Sequence, residues 1–95
     1  MIPRRVDIEL AAFRRLRMAL IAAGVPHASA DDLARSRVDR ARSMVRTAAA
    51  DATRRAGHGE AVDAPAIVRT AQRTAMRFVH PAVAVPAVLS GEYAA

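Results

Sequence analysis

"SADDLARSRVDRARSMVRTAAADATRRAGHG", Ser29 to Gly59, is the stretch on which the fold turns. Ala34, Val38, Ala41, Val45, Ala48 and Ala52 recur at spacings of four, three, four, three and four. That is a heptad seam of small residues on one side of a helix. Ser29 can cap a free backbone N–H, and Asp32, three residues on, resembles the acidic partner of a capping box. Nothing breaks the pattern before Gly57. The reading predicts a central helix from about Asp31 to Arg55, roughly 25 residues or ~38 Å at 1.5 Å per residue. A helix that long dominates a chain of 95 residues.

The flanks read outward from it. Val6, Leu10, Phe13, Leu16 and Leu20 form one apolar stripe, so a first helix is predicted over Pro3 to Ala23, stopped by Gly24 and Pro26. Gly57 and Gly59 end the central helix by permitting positive φ. Asp63 or Ala64 caps a third helix, with Pro65 in its first turn, where a missing N–H costs nothing. Ile67, Val68, Ala71, Ala75, Phe78 and Val79 form its buried side, and Pro81 ends it. "PAVAVPAVLSGEYAA" alternates Val and Ala between prolines and reads as an irregular C-terminal arm, either extended and packed on a partner or a frayed tail, the ordered arm being favoured. The division is a helical domain, 1–80, and an arm, 81–95.

Composition narrows the class. Only Phe13, Phe78 and Tyr93 are aromatic, and alanine supplies much of the 53% hydrophobic content. At ~25 cal/mol per Å² of apolar area, a core of Ala, Val and Leu leaves a slim margin over chain entropy. A homodimer is therefore expected, with Val38, Ala41, Val45 and Ala48 of the seam as its interface. No apolar run is long enough to span a membrane. Arginines, "MALIAAGV" and then "ASA" at Ala28 to Ala30 mimic a signal peptide. Asp7, Glu9 and Pro26-His27 argue against cleavage, so a cytoplasmic location is expected.

Net charge is +6, and all fifteen basic residues are arginine. A GC-rich coding sequence favours arginine over lysine, but it does not create a surplus over nine acids. Guanidinium binds phosphate bidentately, so DNA leads the partner list. Arg14, Arg15 and Arg17, with Arg54 and Arg55, are the tightest clusters and the least compensated by nearby acids. They are the expected phosphate contacts. Arg69, Arg73 and Arg77 at i, i+4 and i+8, like Arg35, Arg42 and Arg46, read as solvated helix faces.

Enzyme chemistry finds no frame. Without lysine there is no P-loop or Schiff base, and without cysteine no thiolate, disulfide or Cys-based zinc site. His27, His58 and His80 are far apart, and His58, Glu60 and Asp63 lack ligand spacing. No catalytic residue, metal or cofactor is expected.

"ALIAAGV…SADDLARSRV" is similar to the first two helices of TetR-type helix-turn-helix proteins. The unbroken run beyond it leaves no turn before a recognition helix. The plan as a whole resembles the archaeal and bacterial histone fold, on Gly24, Ser29, Asp31, Gly57, Val62, Ala64 and Ile67. The closest local match is "AVDAPAI", Ala61 to Ile67. The resemblance implies an all-α, short helix–long helix–short helix protein that dimerises and binds DNA without reading its sequence. Helix one and the two loops would face the duplex. The chain departs from the family where Gly59 and Ala61 replace an arginine and a threonine, and Ala66 an aspartate. The alternative expectation is a helical module for a protein partner, such as an inhibitor, adaptor or assembly protein.

Overall fold

In a computed structural model that describes residues 2–92, the chain is all-helical among the described residues. Helix α1 spans Arg5–Ala22, α2 His27–Gly57, α3 Ala64–Val79 and α4 Pro81–Ala87, followed by a π turn, Val88–Glu92. The 31 residues of α2 cover ~46 Å at 1.5 Å each, close to the 50 Å long axis of the molecule.

Both neighbours of α2 run antiparallel to it. Along α1, Arg17 meets Asp31 and Glu9 meets Arg42. Along α3, Phe78 returns to Arg37. These two hairpins have similar corners. Ile21 O accepts from Gly24 N–H and Leu20 O from Val25 N–H, a Schellman motif with Gly24 at φ +98°. Its customary apolar contact is present, because Val25 and Leu20 share the core. Gly59, at φ +84°, makes the same motif at the end of α2, where Glu60 N–H donates to Arg55 O. Gly57, by contrast, stays helical.

The continuous central helix is present, but it begins a turn earlier than predicted. Pro26, at φ −56°, takes the N-cap position and its carbonyl accepts from Ala30 N–H at 2.8 Å. Ser29 therefore lies inside the first turn and caps nothing. The physical reason is the short corner: with Val25 already in the core, an immediate start brings Ala30 and Ala34 against Leu16 and Leu20. Helix α3 starts as expected. Asp63 accepts from Ala66 N–H at 3.1 Å and Pro65 sits in the first turn. It stops at His80, which is extended ahead of Pro81.

Two expectations are corrected. Residues 81–92 are not an extended arm: 81–87 are helical and 88–92 form a last turn kinked at Gly91, φ +150°, while 93–95 lie outside the described residues. Pro81 opens α4, with the Nδ1 of His80 accepting from Ala82 N–H at 3.1 Å. The Val–Ala alternation also places Ala84 and Val88 four apart, and both are buried with Leu16 and Leu20. Helical period outweighs strand period here because α1 offers a surface to bury it. The expected boundary after residue 80 therefore divides no core. The seam of α2 is also covered within the chain: Ala34, Val38, Ala41 and Ala52 are buried, Val45 and Ala48 half-buried. Of the expected interface residues, Ala41 is buried within the chain, and Val38, though largely buried, borders an open groove between α1 and α2.

Leu16, Leu20 and Val88 are the largest fully buried side chains. Leu20→Ala is expected to lower the unfolding free energy by about 2–5 kcal/mol, read from urea melts at fixed protein concentration. Met18→Ala, at a 61% exposed position on the same helix, should stay within about 0.5 kcal/mol of wild type. Equal effects at the two positions would contradict the core described here.

Candidate nucleic-acid interface

The fold sorts the arginines. On α1, Arg4 pairs with Asp7 and Arg5 with Glu9. Arg17 turns from the surface toward Asp31 on α2, at 3.5 Å, and Arg35 shares that carboxylate at 2.9 Å. Arg42 forms a two-pronged bond to Glu9, at 3.1 and 2.6 Å, and ties α1 to α2. The pair is partly shielded, with side-chain exposures of 34% and 21%. The Arg42 hydrogen bond holds the Glu9 carboxyl below its ordinary value of 4.5, against burial, which pushes it up, with the Arg42, Arg5 and Arg46 charges helping. Reciprocally, the bond to Glu9 raises Arg42 above its ordinary value.

Arg37 is the buried arginine. Its Nε donates to the carbonyl of Phe78 at 2.6 Å, and its guanidinium lies 3.8 Å from the centre of the Phe78 ring. Arg40 reaches the same ring at 4.9 Å. Stacking on a ring face is a guanidinium property that an ammonium does not reproduce. These arginines fasten α3 to α2.

Of the five arginines expected to meet phosphate, three are already paired. Besides Arg17, Arg54 bonds Asp51, and Arg55 bonds Glu60 at 2.7 Å with Asp51 at 3.9 Å. The Glu60 hydrogen bond raises the Arg55 pKa. The expected lack of compensation at the end of α2 is thus corrected: Gly59 folds Glu60 back onto the helix. Arg14 and Arg15 remain exposed, and Arg15 Nη2 lies 3.3 Å from His80 Nε2.

Arg14, Arg15 and Arg46 are also exposed and form no ion pair among the described residues, but the longest run of such arginines is on α3. Arg69, Arg73 and Arg77 are all exposed, and among the described residues none of them forms an ion pair. No carboxylate occurs anywhere between Ala64 and Val79. Successive arginines advance 40° beyond a full turn, so the ladder lies opposite the buried Ala75. Thr70 and Thr74 stand beside it, also exposed. Local counting of acids passed over this face because its arginines are spaced rather than adjacent. The missing acid partners were nevertheless readable along the whole helix.

Other chemistry is spoken for. Glu60 holds Arg55 and Asp63 caps α3, while His27, His58 and His80 sit at three different helix ends. Among the described residues no group of three or more His, Asp or Glu could hold a metal ion, and no helix is long and apolar enough to cross a membrane. An open cleft of about 360 Å³ on the outside of α2, lined by Asp32, Arg35, Ser36, Asp39, Arg40 and Ser43, mixes both charges. Compared with protein-family models, curated proteins and solved structures, the chain matches none.

The Glu9–Arg42 pair makes a pH prediction. A carboxyl whose folded pKa is depressed stabilises the fold above its unfolded value, and that contribution is lost as pH falls through the folded value. Thermal melts should show wild type above Glu9→Gln at pH 7. The gap should narrow as pH drops below about 4.5, the ordinary value for this carboxyl. A gap that holds constant down to pH 2 would mean that the pair does not shift Glu9.

Proposed function

We propose that this protein binds duplex DNA without sequence preference, through arginine–phosphate contacts centred on the outer face of α3. The observation that carries the reading is the ladder Arg69, Arg73 and Arg77, free of acids on its own helix and of ion pairs. A guanidinium already held by a carboxylate must give up that partner before it reaches a phosphate; these three need not. Arg15 approaches His80 at the end of α3, so it adjoins that helix from α1. No recognition helix follows a tight turn, which favours backbone contact over base reading. This reading needs no cofactor or catalytic residue and puts the protein in the cytoplasm with the DNA.

The short–long–short helix order supports a histone-like plan. The docking that the resemblance implies, with α1 and the loops on the duplex, relied on Arg14, Arg15, Arg17, Arg54 and Arg55. The pairing of Arg17, Arg54 and Arg55 shifts the preferred surface to α3. A second reading, a helical module for a protein partner, is favoured by exposed Val6, Ile8 and Leu10 on α1.

Each phosphate contact adds about −0.9 to the slope of log binding constant against log salt. Changing Arg69, Arg73 and Arg77 together to Ala should flatten that slope by about 2 to 3 units on random duplexes and weaken all sequences alike. The corresponding Arg14, Arg15 and Arg17 variant should lose less. The reverse order would restore the docking through α1. Salt-independent or absent binding by wild type would end the nucleic-acid reading.

A further inference from the structure

We propose that the groove between the first half of α1 and the middle of α2 is the contact between two copies of this chain, related by a two-fold axis. It goes beyond the DNA reading and does not rest on it. The groove encloses about 330 Å³, with Val6, Leu10 and Phe13 on one wall and Val38 at the other. Val6, Leu10 and Phe13 stand at i, i+4 and i+7, the spacing of a helix face that seats another helix. Val6 is 59% exposed and Leu10 44%. Glu9–Arg42 and Arg17–Asp31 hold the wall in place from α2, so the face is preformed.

Charge selects the occupant. The rim consists of Glu9, Asp39, Arg35 and Arg42, two acids and two bases that sum to zero in a chain of net charge +6. Two strongly cationic copies can meet across a neutral face at little electrostatic cost, whereas α3 faces would repel. A two-fold contact must also be self-complementary, the same patch serving both partners. This rim carries both signs, and although Arg35 pairs with Asp31 and Asp39 with Arg42 within the chain, their side chains stay 64% and 58% exposed and can be shared across a two-fold axis. DNA is disfavoured here, since an apolar face without net positive charge gains nothing from phosphate.

Packing supplies the need. Among the described residues the largest fully buried side chains are Leu16, Leu20 and Val88, and the molecule is 18 Å thick in its short dimension, about two helix diameters of roughly 10 Å. Laying the α1 stripe of one copy into the groove of the other adds a layer over Phe13 and Val38. Of the seam residues expected at the interface, Val38 lines this groove, whereas Ala41 is buried and Val45 and Ala48 are half-buried outside it.

Sedimentation equilibrium of the full chain without DNA tests the proposal. Wild type should weigh twice the 10.1 kDa chain at micromolar concentration. Leu10→Asp should raise the dimer dissociation constant at least 100-fold while keeping the helical circular dichroism of wild type. Met76→Asp, at an exposed site on α3, should leave the mass unchanged. The chain has no cysteine, so a nitroxide on Leu10→Cys provides a readout that survives if the aspartate variant unfolds. Mixed with isotope-labelled wild type, it should broaden the amide signals of Val6, Phe13 and Val38 in the unlabelled-spin copy. A monomeric wild type, a dimer indifferent to Leu10→Asp, or broadening confined to other surfaces overturns the proposal.

Discussion

A helix with an alanine seam can be covered only by helices that come close, and close approach of small side chains buries little area. That constraint shapes the rest of this molecule. Hydrophobic transfer from Ala34, Ala41 and Ala52 is modest, so polar ties across the helix pairs take a larger share of specifying the packing. Arg42 clasps Glu9 between α2 and α1, while Arg37 is bonded to the Phe78 carbonyl and stacked on its ring between α2 and α3. The two buried leucines sit at one end, where Leu16, Leu20, Ala84 and Val88 close the core with α4. Arginine is therefore a fold-specifying residue here before it is a ligand-binding one.

Much of the fold was legible because its signals are local. Asp63, Pro65 and Pro81 set both ends of α3 by cap chemistry and backbone restriction, and both act within a few residues. Gly24 and Gly59 mark corners for the same reason. Ser29 misled because Pro26 provided an earlier start that only the packing of Val25 and Ala30 selects. The C-terminal segment misled because Val–Ala alternation also satisfies a spacing of four. Whether Ala84 and Val88 are buried depends on α1, more than sixty residues away.

The site was less legible, for a related reason. Counting acids at i±3 and i±4 finds partners within one helix but misses those delivered by tertiary structure. Arg42 and Glu9 are separated by 33 residues, Arg37 and Phe78 by 41. Arg55 and Glu60 are five apart, and only the turn at Gly59 joins them. Once those ties are drawn, the order of the arginine clusters changes. Adjacent arginines at the end of α2 are neutralised in place, while the spaced ladder on α3 keeps its full charge.

The same sorting separates two surfaces with opposite physics. The α3 ladder is exposed and of one sign, so its attraction to polyanions depends on a charge separation that salt screens within about 8–10 Å at physiological strength. The α1 groove is apolar and neutral at its rim, so contact there responds far less to salt. Because the surfaces occupy different helices, one copy can use both at once. Pairing through α1 would place two ladders on a single particle, and each added phosphate contact steepens the salt dependence of binding. Partly shielded pairs such as Glu9–Arg42 are screened less than exposed charges. The scaffold is therefore expected to persist across the salt range that releases a polyanion from α3. On the proposed reading, fold and ligand contact would draw on the same residue type, and shielding would keep their responses apart.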